Sequence, residues 1–157
     1  MFETRGRFNS RRRFPMASPM PQPLVSLLYV SIAAPDLAKA TLAEIVEVAR
    51  SRNAALDVSG ALVFTGEHFA QVLEGPEEAI DQLMGSILRD PRHSAVNVVE
   101  RPQIEERRFA RWSLAYSGPS LFVERHITPL LGTDGADKAP LQSRRLIGLM
   151  HEFAERG

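Results

Sequence analysis

The sequence predicts an α+β fold, a ferredoxin-like βαββαββ sandwich with two helices on one sheet face and a C-terminal helical segment on the other. Three observations lead there. Apolar strand-like runs and amphipathic helical stretches alternate, so that each of two helices lies between strands. Right-handed crossovers then place both helices on the same face. The central strands are apolar on both faces, so the second face needs a cover of its own.

The elements follow in order. Leu24 to Ile32 alternates, with Leu27 and Tyr29 on one face and Leu28 and Val30 on the other. Thr41-Leu42-Ala43-Glu44 has the pattern of a capping box. The helix it would open carries Leu42, Ile45, Val46 and Ala49 on one stripe, extended at its C-terminal end by Asn53. Val58 to Thr65 is an apolar strand, Gly66-Glu67 has turn character, and His68 to Gly75 completes a hairpin. Pro76 suits the first position of a second helix. That helix turns Ile80, Leu83, Met84 and Ile87 inward and ends near Asp90-Pro91. Ala95 to Glu100 reads as a fourth strand and Phe109 to Tyr116 as a fifth, with Trp112 and Leu114 on one face. After Pro140, a helical stripe of Leu146, Ile147, Met150 and Phe153 is the candidate cover for Leu28, Val30, Ala70 and Val72; a partner subunit is the other.

A chain of 157 residues suits one domain with a real core. Its formal net charge is zero, which gives no general case for nucleic acid or an anionic membrane as partner. With no cysteine, disulfides, thiolate metal sites and a Cys nucleophile are excluded. No apolar run approaches the roughly 18 residues of a membrane span, and the basic N-terminus lacks the apolar stretch of a secretory signal, so a cytoplasmic protein is expected. Residues 1–23 read as a disordered tail, with Arg5, Arg7, Arg11, Arg12 and Arg13 at its start and Pro15, Pro19, Pro21 and Pro23 at its end. It is either an arm for phosphate or acidic lipid, or a leader without function in a chain that truly starts at Met16 or Met20. Residues 24–117 form the folded domain and 118–157 a C-terminal helical extension.

Gln71 is the most informative position. Period two sets it between Phe69 and Leu73 on a core-facing surface, where an unpaired amide costs roughly 1–3 kcal/mol. A carboxamide offers a donor at one end and an acceptor at the other, so turning it reverses what a neighbour meets. Strands one and three are central neighbours in this fold, which brings Tyr29 beside Gln71 and places the inter-helix groove over both. With Asn53, these side chains resemble a pocket for a flat ring with polar edges, walled by Ile45 and Ile87. Each alone also has an ordinary explanation: a core Tyr, a helix C-cap, an amide held by backbone or water. Arg92 and His93, after Asp90-Pro91, could meet a phosphate or ribityl chain at the groove mouth, or simply the helix dipole. No Gly-rich phosphate loop, GxSxG or HExxH occurs, and His68, His93, His126 and His151 show no metal-ligand spacing. Nothing looks like an activated nucleophile, so an enzyme is not expected.

Six segments resemble the BLUF family, blue-light sensors using FAD. They are Leu28-Tyr29-Val30-Ser31, Ala49-Arg50-Ser51-Arg52-Asn53-Ala54, Val58-Ser59-Gly60-Ala61-Leu62-Val63, Phe69-Ala70-Gln71-Val72-Leu73-Glu74-Gly75, Asp90-Pro91-Arg92-His93 and Arg108-Phe109-Ala110-Arg111-Trp112-Ser113-Leu114. They run in order from Leu24 to Tyr116. The resemblance implies FAD with its ring between the helices, Asn53 on the carbonyl and imide edge, and Gln71 bridging Tyr29 to the N5/O4 edge. Ile45 and Ile87 would sandwich the ring; Ser31, Asp90, Arg92 and His93 would complete the cofactor contacts. Trp112 would be the strand-five aromatic linked to signalling. The implied photochemistry is a proton-coupled electron transfer from Tyr29 that returns and leaves Gln71 rotated or tautomerised, with a new hydrogen bond to O4 and a small red shift. Many family members have Met where this chain has Leu114, which bears on how the change leaves the pocket and how long the lit state lasts.

One rearranged hydrogen bond is worth about 0.5–1.5 kcal/mol, whereas a full two-state reversal needs about 5.5 kcal/mol. The expected output is therefore graded. The short stretch after Tyr116 leaves no room for an output domain, so a separate partner or self-association, through the C-terminal helix, is expected. Two alternatives compete: an acylphosphatase-type enzyme, disfavoured because Ile32-Ala33-Ala34-Pro35-Asp36 contains no Arg, and a flavin-free interaction module in which Tyr29 and Gln71 merely satisfy each other.

Overall fold

The computed structural model describes residues 22–117, 121–132 and 139–156. The arginine-rich part of the tail lies outside these residues. The elements are β1 (Leu24–Ala33), α1 (Lys39–Ala55), β2 (Ser59–Phe64), β3 (His68–Pro76), α2 (Glu77–Arg89), β4 (His93–Glu100), β5 (Gln103–Ile104), β6 (Ala115–Ser117), α3 (Leu121–Ile127) and α4 (Ala139–Arg156). A short turn of tighter helix, Thr128–Leu130, follows α3.

The sheet runs β4-β1-β3-β2-β6, and β5 pairs with one end of β1. β1 and β3 are antiparallel central neighbours whose register sets Tyr29 opposite Gln71. β2 and β3 form the expected hairpin, while β6 lies parallel to β2. Alternation does the sorting. Val25, Leu27, Tyr29 and Leu73 pack with Ile80, Leu83 and Met84 of α2. Leu62, Phe64 and Phe69 pack with Leu42 and Val46 of α1. On the other face Leu28, Val30, Ala70 and Val72 meet Val123, Ile127, Leu146, Ile147 and Met150. The C-terminal helical segment thus supplies the predicted cover from its own chain.

Four local expectations change. Helix α1 begins at Lys39, with Ala38 at the cap and no side-chain cap bond, so Thr41 and Glu44 lie inside the helix and form no capping box. Pro76 occupies the cap position of α2, in extended conformation, rather than the first helical position. β4 starts at His93, two residues before the predicted Ala95. The fifth strand shrinks to Ala115–Ser117, and residues 109–114 are irregular. Consequently Trp112 and Leu114 do not share a face: Trp112 packs against the α4 side, Leu114 beneath α1.

Candidate functional site

Between α1 and α2, above β1 and β3, lies a groove open to solvent at its mouth. Its floor carries Tyr29 and Gln71. Both are buried, 3% and 5% exposed, and the Tyr29 hydroxyl donates to Gln71 Oε1. Burial, and then the Asp90 carboxylate, hold the Tyr29 phenol well above the ordinary tyrosine range, so it stays protonated at neutral pH. Gln71 Nε2 has no partner among the described residues. Only Glu74 Oε1 and Glu124 Oε2 are sealed without a partner there, so the Gln71 amide opens onto the groove.

Ile45 on α1 and Ile87 on α2 flank the groove, together with Val48, Ala49 and Leu83. Asn53 lies in the last turn of α1 and is 2% exposed. It is not the cap residue, a position held by Leu56. Its Nδ2 donates to the Ser113 carbonyl at 2.9 Å, leaving Oδ1 and the second N–H for a ligand. At the mouth, Arg92 makes a bidentate pair with Asp90, through Nε at 2.9 Å and Nη2 at 2.7 Å. That contact keeps the Asp90 carboxyl below the usual carboxylate range and tightens the hold of Arg92 on its proton.

His93 lines the groove but is committed internally. Its Nε2 faces the Ile87 carbonyl at 2.7 Å and Nδ1 lies 2.8 Å from Ser31 Oγ. A ring nitrogen facing a carbonyl must carry the proton, so in the neutral imidazole the Ser31 hydroxyl donates to Nδ1. His93 therefore braces α2 against β1 and has no ring nitrogen free for a phosphate. Ser31 is fully buried behind it and does not line the groove. Arg52 does line it, a residue the sequence reading left unassigned. Its signal was available, because Ile45, Val48, Ala49 and Arg52 follow helical spacing on one face.

Trp112 and Leu114 lie outside the groove and line a second cleft with Arg50 and Phe153. The segment that carries them is tied down at several points. Glu74 Oε2 accepts from the backbone N–H of Arg108 at 2.8 Å and of Phe109 at 3.1 Å. Gly60 N–H donates to the Trp112 carbonyl, and a Cβ on residue 60 would stand 2.0 Å from the Val72 oxygen of β3, so only glycine fits that strand position. Asn53 holds Ser113, and Arg50 Nε donates to the Leu114 carbonyl at 3.0 Å. Asn53 thus lines the groove and holds the segment by a hydrogen bond.

These features fit a flavin: two aliphatic walls, an unpartnered amide N–H on the floor, the free Oδ1 of Asn53, and guanidinium groups at the mouth. The comparisons agree. Residues 24–115 match the model of the BLUF family, described as sensors of blue-light using FAD. The chain is 38% identical over 92 residues to photoactivated adenylate cyclase subunit beta of Euglena longa, covering 58% of this chain and 11% of that protein. It is 43% identical over 77 residues to the blue light- and temperature-regulated antirepressor BluF of Escherichia coli K12, covering 49% of this chain and 19% of that one. Among solved structures, the dark state of the BLUF protein BlrB superposes with a TM-score of 0.66 at 30% identity, over 82% of this chain and 97% of that chain. Photo-activated BlsA, at 24% identity and a TM-score of 0.66, covers 82% and 94% and shares the fold. The chain belongs to the BLUF family of blue-light sensors using FAD.

Proposed function

We propose that this chain is a blue-light photoreceptor whose switch is the Tyr29–Gln71 pair and which carries out no reaction on a substrate. The observation that carries the reading is the Tyr29 hydrogen bond to Gln71 Oε1, with Nε2 left open to the groove. Bound FAD supplies light absorption and a redox-active ring. Ile45 and Ile87 would clamp the ring, while Asn53 and Gln71 would hold its polar edge. Arg52 and Arg92, at the groove, would meet the charged side chain of the cofactor. Tyr29 holds its phenolic proton against Gln71 Oε1, in line for transfer and return. The Gln71 amide, fixed at one end only, can then reverse donor and acceptor without breaking any other protein contact.

Output would leave through Asn53 to Ser113 and Trp112, and from there to the cleft beside α4. The apolar stripe of α4 is spent on its own sheet, so a downstream protein or a second copy would use the outer face of α4 or that cleft. No helix among the described residues is long and apolar enough to cross a membrane.

The test is the flavin absorption spectrum in darkness and under blue light. Wild type should show a reversible red shift. Gln71→Leu should bind flavin and show none. A colourless chain that FAD cannot reconstitute would return the protein to the flavin-free alternative.

A further inference from the structure

Away from the groove, the β2–β3 hairpin meets α3 at three side chains: Glu67 and His68 from the hairpin, Glu124 from the helix. One ligand atom of each lies within 4.8 Å of the others. A tetrahedral ion about 2.0–2.2 Å from imidazole and carboxylate donors sets them roughly 3.4 Å apart, so the donors must draw inward by up to about 1.4 Å to close on it. His68 Nδ1 contacts Glu124 Oε1. Glu124 Oε2, however, is sealed from solvent and has no hydrogen-bond partner. An orphaned carboxylate oxygen beside a second carboxylate is unfavourable. A cation relieves both defects at once.

The supports are already rigid. Gly66, at φ +106°, makes the turn. Thr65 Oγ1 accepts from His68 N–H at 3.0 Å, and the Glu67 carbonyl accepts from Ala33 N–H at 2.8 Å. On α3, Val123 and Ile127 flank Glu124 and are fully buried in the core. The donors therefore need side-chain adjustment only.

We propose that Glu67, His68 and Glu124 form a site for a divalent transition-metal ion, Zn²⁺ being the best match, which fastens α3 to the hairpin. One imidazole and two carboxylates suit zinc and leave its fourth position to water. Mg²⁺, which prefers an oxygen octahedron and retains its waters, is a poor fit. Sequence spacing could not reveal the site, because His68 and Glu124 are 56 positions apart. The proposal does not depend on the flavin reading.

Calorimetric titration of the full chain with Zn²⁺ tests it, alongside thermal melts. Wild type should bind one ion and melt higher with Zn²⁺, reversibly on chelation, while Mg²⁺ has no such effect. His68→Gln and Glu124→Gln should each weaken binding by more than about tenfold, and His151→Gln should not. Glu67 is exposed, so Glu67→Gln leaves folding intact and must also weaken binding. Failure of wild type to bind Zn²⁺, or binding that the three ligand variants leave unchanged, overturns the proposal.

Discussion

On one face of the sheet, Leu28, Val30, Ala70 and Val72 meet Phe109, Leu146 and Met150, and none of these is more than 1% exposed. One position along the same strands, on the opposite face, Tyr29 and Gln71 sit in an open groove and bond to each other. The strands are identical and the chemistry is opposite. The sealed face holds the chain together by packing, and the groove face gives up some packing for a polar pair whose amide N–H opens onto the groove. The buried carboxylate on the sealed side, Glu74, is spent on fixing the Trp112 segment.

Substitutions that divide stability from photochemistry test this contrast. The largest effect is expected at Phe109→Ala on the sealed face, which should cost about 3–5 kcal/mol in urea unfolding. Gln71→Leu should change stability by less than about 1.5 kcal/mol while abolishing the light response. Equal losses from the two would erase the distinction between the faces.

Next comes Glu74→Ala, which strips the acceptor from one buried and one part-buried N–H group and should cost about 1–3 kcal/mol. Burial holds the Glu74 carboxyl above its ordinary range, against the pull of the Phe109 and Arg108 N–H groups. A carboxyl whose pKa rises on folding favours the protonated form in the folded state. Its contribution is full below the ordinary value of 4.5 and declines as pH climbs through the raised one. The stability of wild type relative to Glu74→Gln should therefore fall as pH rises above 4.5. A difference that stays flat with pH would show that Glu74 is not desolvated.

Much of this was legible in the sequence, and the rest was not for physical reasons. Alternation in β1 and β3 and helical spacing in α2 are local signals, and they place Tyr29, Gln71 and Ile87 correctly. The segment 109–114 was misread as a strand because its conformation is imposed from outside, by Glu74, Gly60 and Asn53, each distant in sequence. The role of His93 was hidden for the same reason: its partners, Ser31 and Ile87, come from two other elements.

Smaller effects sharpen the groove itself. Leu114→Met, a volume-conserving change at a buried site, should alter stability by less than about 1.5 kcal/mol and change the dark-recovery rate, read from the decay of the red shift. An unchanged rate would remove residue 114 from the relay. Asp90→Asn breaks a part-exposed ion pair and should cost no more than about 1 kcal/mol. Because the Asp90 charge helps to hold the Tyr29 phenol high, the variant should lower the Tyr29 titration, followed by tyrosinate absorbance. No downward movement would show that Asp90 does not act on Tyr29.

The proposed switch turns on the Gln71 amide changing its bonding after illumination. A light-minus-dark infrared spectrum of the FAD-loaded chain, with isotope-labelled glutamine side-chain carbonyls, reads that amide directly. An isotope-sensitive carbonyl band should shift on illumination, return in darkness, and be missing from Gln71→Leu. If the red shift forms while no glutamine band moves, Gln71 is not the switch.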